Sequence, residues 1–312
     1  MESIKISVVI PVYNSEDCLL QLNDELEKAM TAFDTYEIIL VNDKSTDGSW
    51  EKIIQICSAN KFVTGINFRK NFGQDNAIMA GLQEAKGHYI VIMDDDLQHS
   101  PSDIIHLYTK CREGYDVCYG HFKSKKQKKW KNIGSYINGK FSEKLLQKPE
   151  HIYLSPFKVI TKGVADEVIK YSGPFPYIEA TLLTITSNIT QIEINHYPRH
   201  KGKGNFNFVK SALVFIKHAT NYSIYPLRVV SVLGFIIALS SFILGLVYLL
   251  EYFFSSRKIE GWITLVILVI FFGGMILMSL GLIGEYIGRI FLSINKKPQF
   301  TIDQIIKKTN FD

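Results

Sequence analysis

The sequence predicts an α/β protein built on a mainly parallel sheet, followed by two membrane-spanning helices towards the C-terminal end. Three observations carry this. Through the first two-thirds of the chain, short apolar runs rich in β-branched residues alternate with helical patterns. Several of these runs stop abruptly at polar, turn-forming residues, and the stretch from about Leu227 to Leu292 is almost free of charge. Strands that are apolar on both faces and alternate with helices belong to sheets covered on both sides. At 312 residues the chain can hold one sizeable domain and an appendage.

The elements follow in order. Ile6–Val12 is the first strand, ended by Pro11 and Asn14, and Ser15 is the expected cap of the helix that follows. Leu19, Leu22, Leu26, Ala29 or Met30, and Phe33 recur at helical spacing on one face of that helix. Tyr36–Val41 is a second strand leading into the turn-rich NDKSTDGS and a short helix from Trp50 to Cys57. Val63–Phe68 and Tyr89–Met93 are the third and fourth strands, with a helix over Gln74–Ala85 between them. The fourth strand ends at Asp94, Asp95 and Asp96, and Ser100-Pro101-Ser102-Asp103 reads as a helix start.

Val229 to Leu250 and Gly261 to Gly284 are uncharged runs of 22 and 24 residues. At a rise of about 1.5 Å per residue, each is long enough for a hydrocarbon core about 30 Å thick. Arg228, Arg289, Lys296 and Lys297 flank the outer ends, which puts both termini in the cytoplasm. The opening MESIKISVVIPVYN lacks the pattern of a secretory signal, so the catalytic part is also expected there. Gly284 and Gly288 form a GxxxG, the spacing at which membrane helices approach closely, so a homo-oligomer through these helices is expected. Just before the first span, residues 206–226 place apolar side chains at helical intervals between lysines, as an amphipathic juxtamembrane helix does, whether it lies on anionic lipid or packs on the soluble domain. Cys18, Cys57, Cys111 and Cys118 show neither metal-ligand nor disulfide spacing and read as reduced core thiols.

In open α/β sheets the site lies at the carboxyl ends of the strands. Tyr13, Asn14, Asp43 and Asp94–Asp96 all fall there and are expected in one cleft. Three adjacent carboxylates repel one another unless a cation is near, and hard oxygen ligands suit Mg²⁺ or Mn²⁺ shared with substrate phosphates. The alternative is an acidic cap on the following helix. Farther along, lysines crowd residues 123–131, and Arg199, Lys201 and Lys203 form a second basic cluster. Both suit an anionic headgroup near a membrane surface, or simply a solvated face. The spans and the lack of interleaved aromatics argue against nucleic acid.

PVYNSED, VNDKSTDGS, FRKNFGQDNAIMAGL and IVIMDDDLQHSP, in this order and spacing, resemble the nucleotide-sugar-binding half of a family 2 glycosyltransferase. LSPFKVITKGVADEV, RHKGKGNF and the closing GLIGEYIGRIF extend the resemblance to the polyprenyl-phosphate glycosyltransferases. That group includes dolichol-phosphate mannose synthase and the bacterial undecaprenyl-phosphate glucosyl- and aminoarabinosyl-transferases.

The resemblance implies a GT-A fold over residues 1–205, with 206–226 at the membrane surface, 227–292 spanning it twice and 293–312 a cytoplasmic tail. It implies inverting transfer of a sugar from a nucleotide sugar, a UDP-hexose such as UDP-glucose, to polyprenyl phosphate. Pro11, Tyr13 and Asp43 would hold the nucleoside, Asp94, Asp96 and Gln98 the metal and diphosphate, and Arg69 and Asn71 would lie near the diphosphate. Asp95, at the middle position, takes no ligand role. Lys131, Ser135, Arg199 and Lys203 would receive the acceptor phosphate.

Two departures from the family pattern stand out. Asn42 replaces a first aspartate, and Pro156 lies near where several members carry an aspartate proposed as general base. A lipid monophosphate, with a second pKa of about 6, is already an anion and can attack without one. Glu179 is the other acidic residue considered for that role, against the ordinary expectation of a surface glutamate. Two rival readings are a synthase with a hydroxyl acceptor, which would need a base, and a non-catalytic membrane scaffold.

Overall fold

The structure is a computed structural model that describes residues 4–122, 149, 152–173, 175–194, 225–254, 261–295 and 298–307. Two compact units are formed: Met1–Asn205 with Lys296–Asp312, and Phe206–Asn295.

In the first unit, β1 (Ile6–Val12), β2 (Tyr36–Asn42), β3 (Val63–Phe68) and β4 (Tyr89–Ile92) are the four strands expected from the apolar runs. Here β4 ends one residue earlier than the sequence suggested. Helices α1 (Leu19–Met30), α2 (Ser49–Ala59) and α3 (Gln74–Glu84) connect them. Parallel pairing β4-β1-β2-β3 follows, with Ile6 opposite both Tyr36 and Tyr89. A 3₁₀ turn (Pro101–Asp103), α4 (Ile104–Cys111), β5 (Val117–Phe122), β6 (Lys158–Thr161), α5 (Lys162–Val168), α6 (Ile178–Ile185) and β7 (Ile189–Ile194) come next. Strand β8 (Ile302–Lys307) completes an eight-stranded sheet of order β7-β5-β6-β4-β1-β2-β3-β8 among the described residues.

Every residue of β1 is buried, because one face packs on α1, α2 and α4 and the other on α3, α5 and α6. Full burial of one such Val or Ile side chain contributes about 1.5–3 kcal/mol. The apolar face of α1 expected from sequence is the buried one, with Leu19, Leu22, Leu26 and Met30 inside and Phe33 following. Ser15 does not cap α1 with its side chain. Helix α1 starts at Leu19 after Cys18 with no side-chain cap, and the Ser15 hydroxyl turns towards Asp95 instead. Among the cysteines, Cys57, Cys111 and Cys118 are buried free thiols and Cys18 is half-buried.

The segment 293–312, expected as a cytoplasmic tail, contributes a strand to the first unit. Residues 302–307 pair antiparallel with β3 and form the sheet edge, so this segment belongs to the first unit. It is locally pinned. Phe300 stacks on Phe68 with ring centres 5.1 Å apart, and Gln299 donates to the carbonyls of Tyr171 and Gly173 at 2.8 and 2.7 Å.

The second unit contains α7 (Tyr225–Phe254) and α8 (Trp262–Ile294). Among the described residues one stretch, Phe271–Ile294, is long and apolar enough to cross a membrane, with a mean hydropathy of 1.6. Val230–Leu244 is a shorter apolar stretch in the place of the other expected span. Large apolar side chains such as Phe242, Leu277, Phe291 and Ile294 are exposed along both helices.

Candidate active site

The carboxyl ends of β1, β2 and β4 border an open cavity of about 290 Å³ lined by Pro11, Val12, Tyr13, Asp43, Asn71, Gly73, Gln74, Asp94, Asp95 and Asp96. Of the residues singled out from sequence, Pro11, Tyr13, Asp43, Asn71, Asp94 and Asp96 are brought together there. Gln98 and Arg69 do not line it. A larger groove of about 580 Å³ lies between α4 and β7, bordered by residues such as His106, Lys110 and Glu193. None of the residues read as functional borders that groove, so cavity size does not locate the site.

Strained turns shape the cavity rim. Asn14, Lys44 and Leu97 follow β1, β2 and β4 with φ of 53°, 56° and 59°. Left-handed backbone costs a non-glycine residue roughly 1–2 kcal/mol, least for Asn, so the surrounding contacts must hold it. They do. The Asn14 amide oxygen accepts from the Thr46 N–H at 2.8 Å, and the Asn14 N–H donates to the Ser45 hydroxyl at 3.0 Å, tying the β1 end to the β2 end.

Asp43 is almost wholly buried, and both its oxygens are engaged. They accept from the backbone N–H groups of Phe72 and Gly73 at 2.6 and 2.8 Å, while Asn71 donates to the Asp43 carbonyl at 3.2 Å. Asp43 therefore fixes the β3–α3 loop on the cavity's edge. Gly73 in that loop has φ of 92°, a conformation that glycine adopts without penalty. Burial pushes the Asp43 carboxyl above its usual range, against the two N–H donors. Asn42, where the family pattern has an aspartate, is buried and donates to the Asn67 side chain at 2.7 Å, a neutral bond within the sheet.

The acidic run splits into three roles. Asp94 faces the cavity and accepts from the Gln74 side chain at 2.7 Å. Asp95 is a latch: one oxygen accepts from the Tyr13 N–H at 3.2 Å and the Ser15 hydroxyl at 2.5 Å, and its carbonyl accepts from the Cys18 thiol at 3.2 Å. This joins the β4 end to the β1 end. Asp96 lines the cavity and accepts from the Gln98 N–H at 3.2 Å, across the turn made at Leu97.

Burial, then repulsion from Asp96 and Asp95, pushes Asp94 up to about 7. Burial also raises Asp95 to about 6, although the Ser15 and Tyr13 donors oppose it. Among the described residues, no three His, Cys, Asp or Glu side chains are set to enclose a metal ion by themselves. Clustered hard oxygens at the rim of an open cavity suit an ion that takes part of its shell from a phosphate.

These shifts carry a pH dependence. A carboxyl whose folded-state pKa lies above its unfolded value stabilises the fold at low pH and loses that contribution as pH rises through the folded value. Asp94 and Asp95 move from 3.8 to about 7 and about 6. Melting temperature in the presence of a chelator is therefore expected to fall as pH rises from about 4 to about 7. A melting temperature that climbs across this window would contradict the assignment.

Arg69 is placed elsewhere than expected. Its guanidinium pairs with Asp303 of β8 at 3.2 Å, and its N–H donates to the Thr301 carbonyl at 3.0 Å. It serves the edge strand, whose presence there the sequence pattern did not reveal. Glu179 is not the surface glutamate expected from its residue type. Its side chain is 16% exposed; one oxygen accepts from the buried Lys158 ammonium and the other from the Tyr119 hydroxyl at 2.7 Å. With both oxygens so held, it is not poised as a general base. Lys131, Ser135, Arg199 and Lys203, with residues 206–224 of the expected amphipathic helix, lie outside the described residues.

Comparison with known proteins bears on this geometry. Residues 7–169 match the family described as "Glycosyl transferase family 2". An undecaprenyl-phosphate 4-deoxy-4-formamido-L-arabinose transferase of Proteus mirabilis is 31% identical over 98% of this chain and 96% of its own. An uncharacterised glycosyltransferase of Synechocystis sp. is 29% identical over 97% of this chain and 96% of its own. Among solved structures, glucosyl-3-phosphoglycerate synthase from Mycobacterium tuberculosis in complex with Mn²⁺ and UDP-glucose superposes with a TM-score of 0.51. It is 16% identical, with 70% of this chain and 77% of that one covered, a likeness of fold. The sheet and its strand-end cavity define a glycosyltransferase of the GT-A α/β fold. The chain belongs to glycosyltransferase family 2.

Proposed function

We propose that this enzyme transfers a sugar from a nucleotide sugar, a UDP-hexose such as UDP-glucose, to polyprenyl phosphate with inversion at the anomeric carbon. One observation carries this reading. The cavity with Asp94 and Asp96 at its rim belongs to a chain matched nearly end to end by a relative named for transfer to undecaprenyl phosphate. Pro11, Tyr13 and the loop pinned by Asp43 would border the nucleoside. Asp94 and Asp96, with Gln98 beyond the Leu97 turn, would hold a divalent cation, Mg²⁺ or Mn²⁺. Such an ion neutralises charge developing on the leaving diphosphate. The Mn²⁺ in the complex of the mycobacterial synthase supports this choice.

Lys131, Ser135, Arg199 and Lys203 are the proposed acceptor-phosphate residues. An acceptor that is already an anion removes the need for a base, which suits Pro156 and the engaged carboxylate of Glu179. A hydroxyl acceptor would need one, so that reading ranks second. Two membrane spans with both termini cytoplasmic, and a homo-oligomer through the small residues of α8, complete the proposal. The exposed apolar side chains of α7 and α8 support a lipid setting. The test supplies full-length protein with undecaprenyl phosphate, Mg²⁺ and a panel of UDP-, GDP- and TDP-sugars. A lipid-linked sugar from a UDP-sugar is the expected product; no glycolipid from any donor would refute the proposal.

A further inference from the structure

Beyond the cavity, polar groups continue in one direction across the sheet. β6 runs antiparallel to β4, so its first residue, Lys158, sits opposite Ile92 at the carboxyl end of β4, two residues before Asp94. Lys158 is also opposite Tyr119 of β5 and is 1% exposed, its ammonium donating to Glu179 and to the Ser155 carbonyl at 3.2 Å. The first two residues of α3 join the two places. Gln74 donates to Asp94, and its neighbour Asp75 accepts from the Ile178 N–H at the start of α6, at 3.4 Å. Moving from β2 to β5, the order is Asp43, Tyr13, Asp94, then the group made by Asp75, Lys158, Glu179 and Tyr119.

A nucleotide sugar has the same linear order of nucleoside, diphosphate and sugar. With the nucleoside over β1 and β2 and the diphosphate at the end of β4, the sugar falls over the entry to β6. Glu179 cannot meet it freely, since both its oxygens are engaged. Asp75 can: it is half-buried, and among the described residues only its Oδ1 accepts a hydrogen bond. Burial raises its carboxyl to about 6, against the Ile178 N–H and Lys158.

We infer that Asp75 is a specificity-determining residue for the donor, its Oδ2 accepting a hydrogen bond from a sugar hydroxyl or amino group, while the buried Lys158–Glu179 pair holds α6 behind it. The inference rests on reading the cavity as a nucleotide-sugar site. Its chemical consequence is a charge filter. With Asp94 taken up by the proposed cation, Asp75 and Glu179 present two carboxyl groups against the one buried ammonium of Lys158. A neutral or amino sugar is accommodated, whereas a sugar bearing its own carboxylate meets like charge.

The experiment measures binding of UDP, UDP-glucose and UDP-glucuronate to full-length wild type, Asp75→Asn and Asp75→Ala in Mg²⁺. Wild type is expected to prefer UDP-glucose over UDP-glucuronate by roughly tenfold or more, the scale of one charged hydrogen bond. Asp75→Asn keeps the shape, removes the charge and should erase most of that preference. Asp75→Ala should weaken UDP-glucose roughly tenfold, and UDP itself should bind both variants within about twofold of wild type. Unchanged glucose-to-glucuronate selectivity in both variants overturns the inference. So does equal weakening of all three ligands, which would make Asp75 a support for the fold. Wild type that binds none of the three refutes the nucleotide-sugar reading itself, a different result from either.

Discussion

Asp96→Ala is expected to abolish glycolipid formation, with turnover falling at least about 10²–10³-fold, the scale seen when a group that stabilises developing charge is removed. The leaving diphosphate carries the charge that the acidic rim and its proposed cation must handle, and Asp96 lies on that rim. Asp96 is half-buried and its bond to the Gln98 N–H lies within one turn, so activity should fall far more than stability. Asp95→Ala should behave differently. It removes the latch to Tyr13 and Ser15, so melting temperature should drop along with activity. Product formed equally well by Asp96→Ala, or in excess EDTA, would sink the metal assignment.

The second large effect is expected far from the acidic run. Phe300→Ala removes a ring stacked on Phe68 at the sheet edge, and truncation of a packed Phe costs about 2–4 kcal/mol when the site is partly open. For a unit of this size that is a fall in melting temperature of roughly 5–10 °C. Phe68 leads directly into the loop that Asp43 pins, so UDP affinity should fall with stability. Asp303→Asn is the internal control. Its pairing with Arg69 is partly exposed, and such pairs are worth about 0–1 kcal/mol, so it should change melting little. A melting temperature for Phe300→Ala within about 1 °C of wild type would show that the edge strand is not held this way.

Much of the fold was legible because four strands are continuous apolar runs and each stops at a polar residue. That pattern is local, and burial on both faces of β1 follows from it directly. The acidic run was legible for the same reason, since position after a strand predicts position in the cavity. The rest depends on partners far apart in the chain. Asp95 finds Tyr13 across 82 residues, and Asp75 finds Ile178 across 103. No periodicity encodes such pairs. Glu179 read as a surface glutamate because residue type sets that expectation, and its buried lysine partner lies 21 residues away. β8 escaped notice for another reason: it is short, mostly exposed and separated from β3 by the entire second unit.

That last separation has a consequence for how the protein is made. β8 follows α7 and α8 in the chain, yet its partner β3 is among the first elements synthesised. During translation the edge of β3 stays without its strand until the apolar helices have left the ribosome. An unpaired strand edge invites pairing with other chains. Completion of the support beneath the β3–α3 loop is thereby timed to come after the helices are made. A nascent chain arrested before residue 300 would carry every cavity-lining side chain and still lack the contacts that hold Arg69 and Phe68 in place.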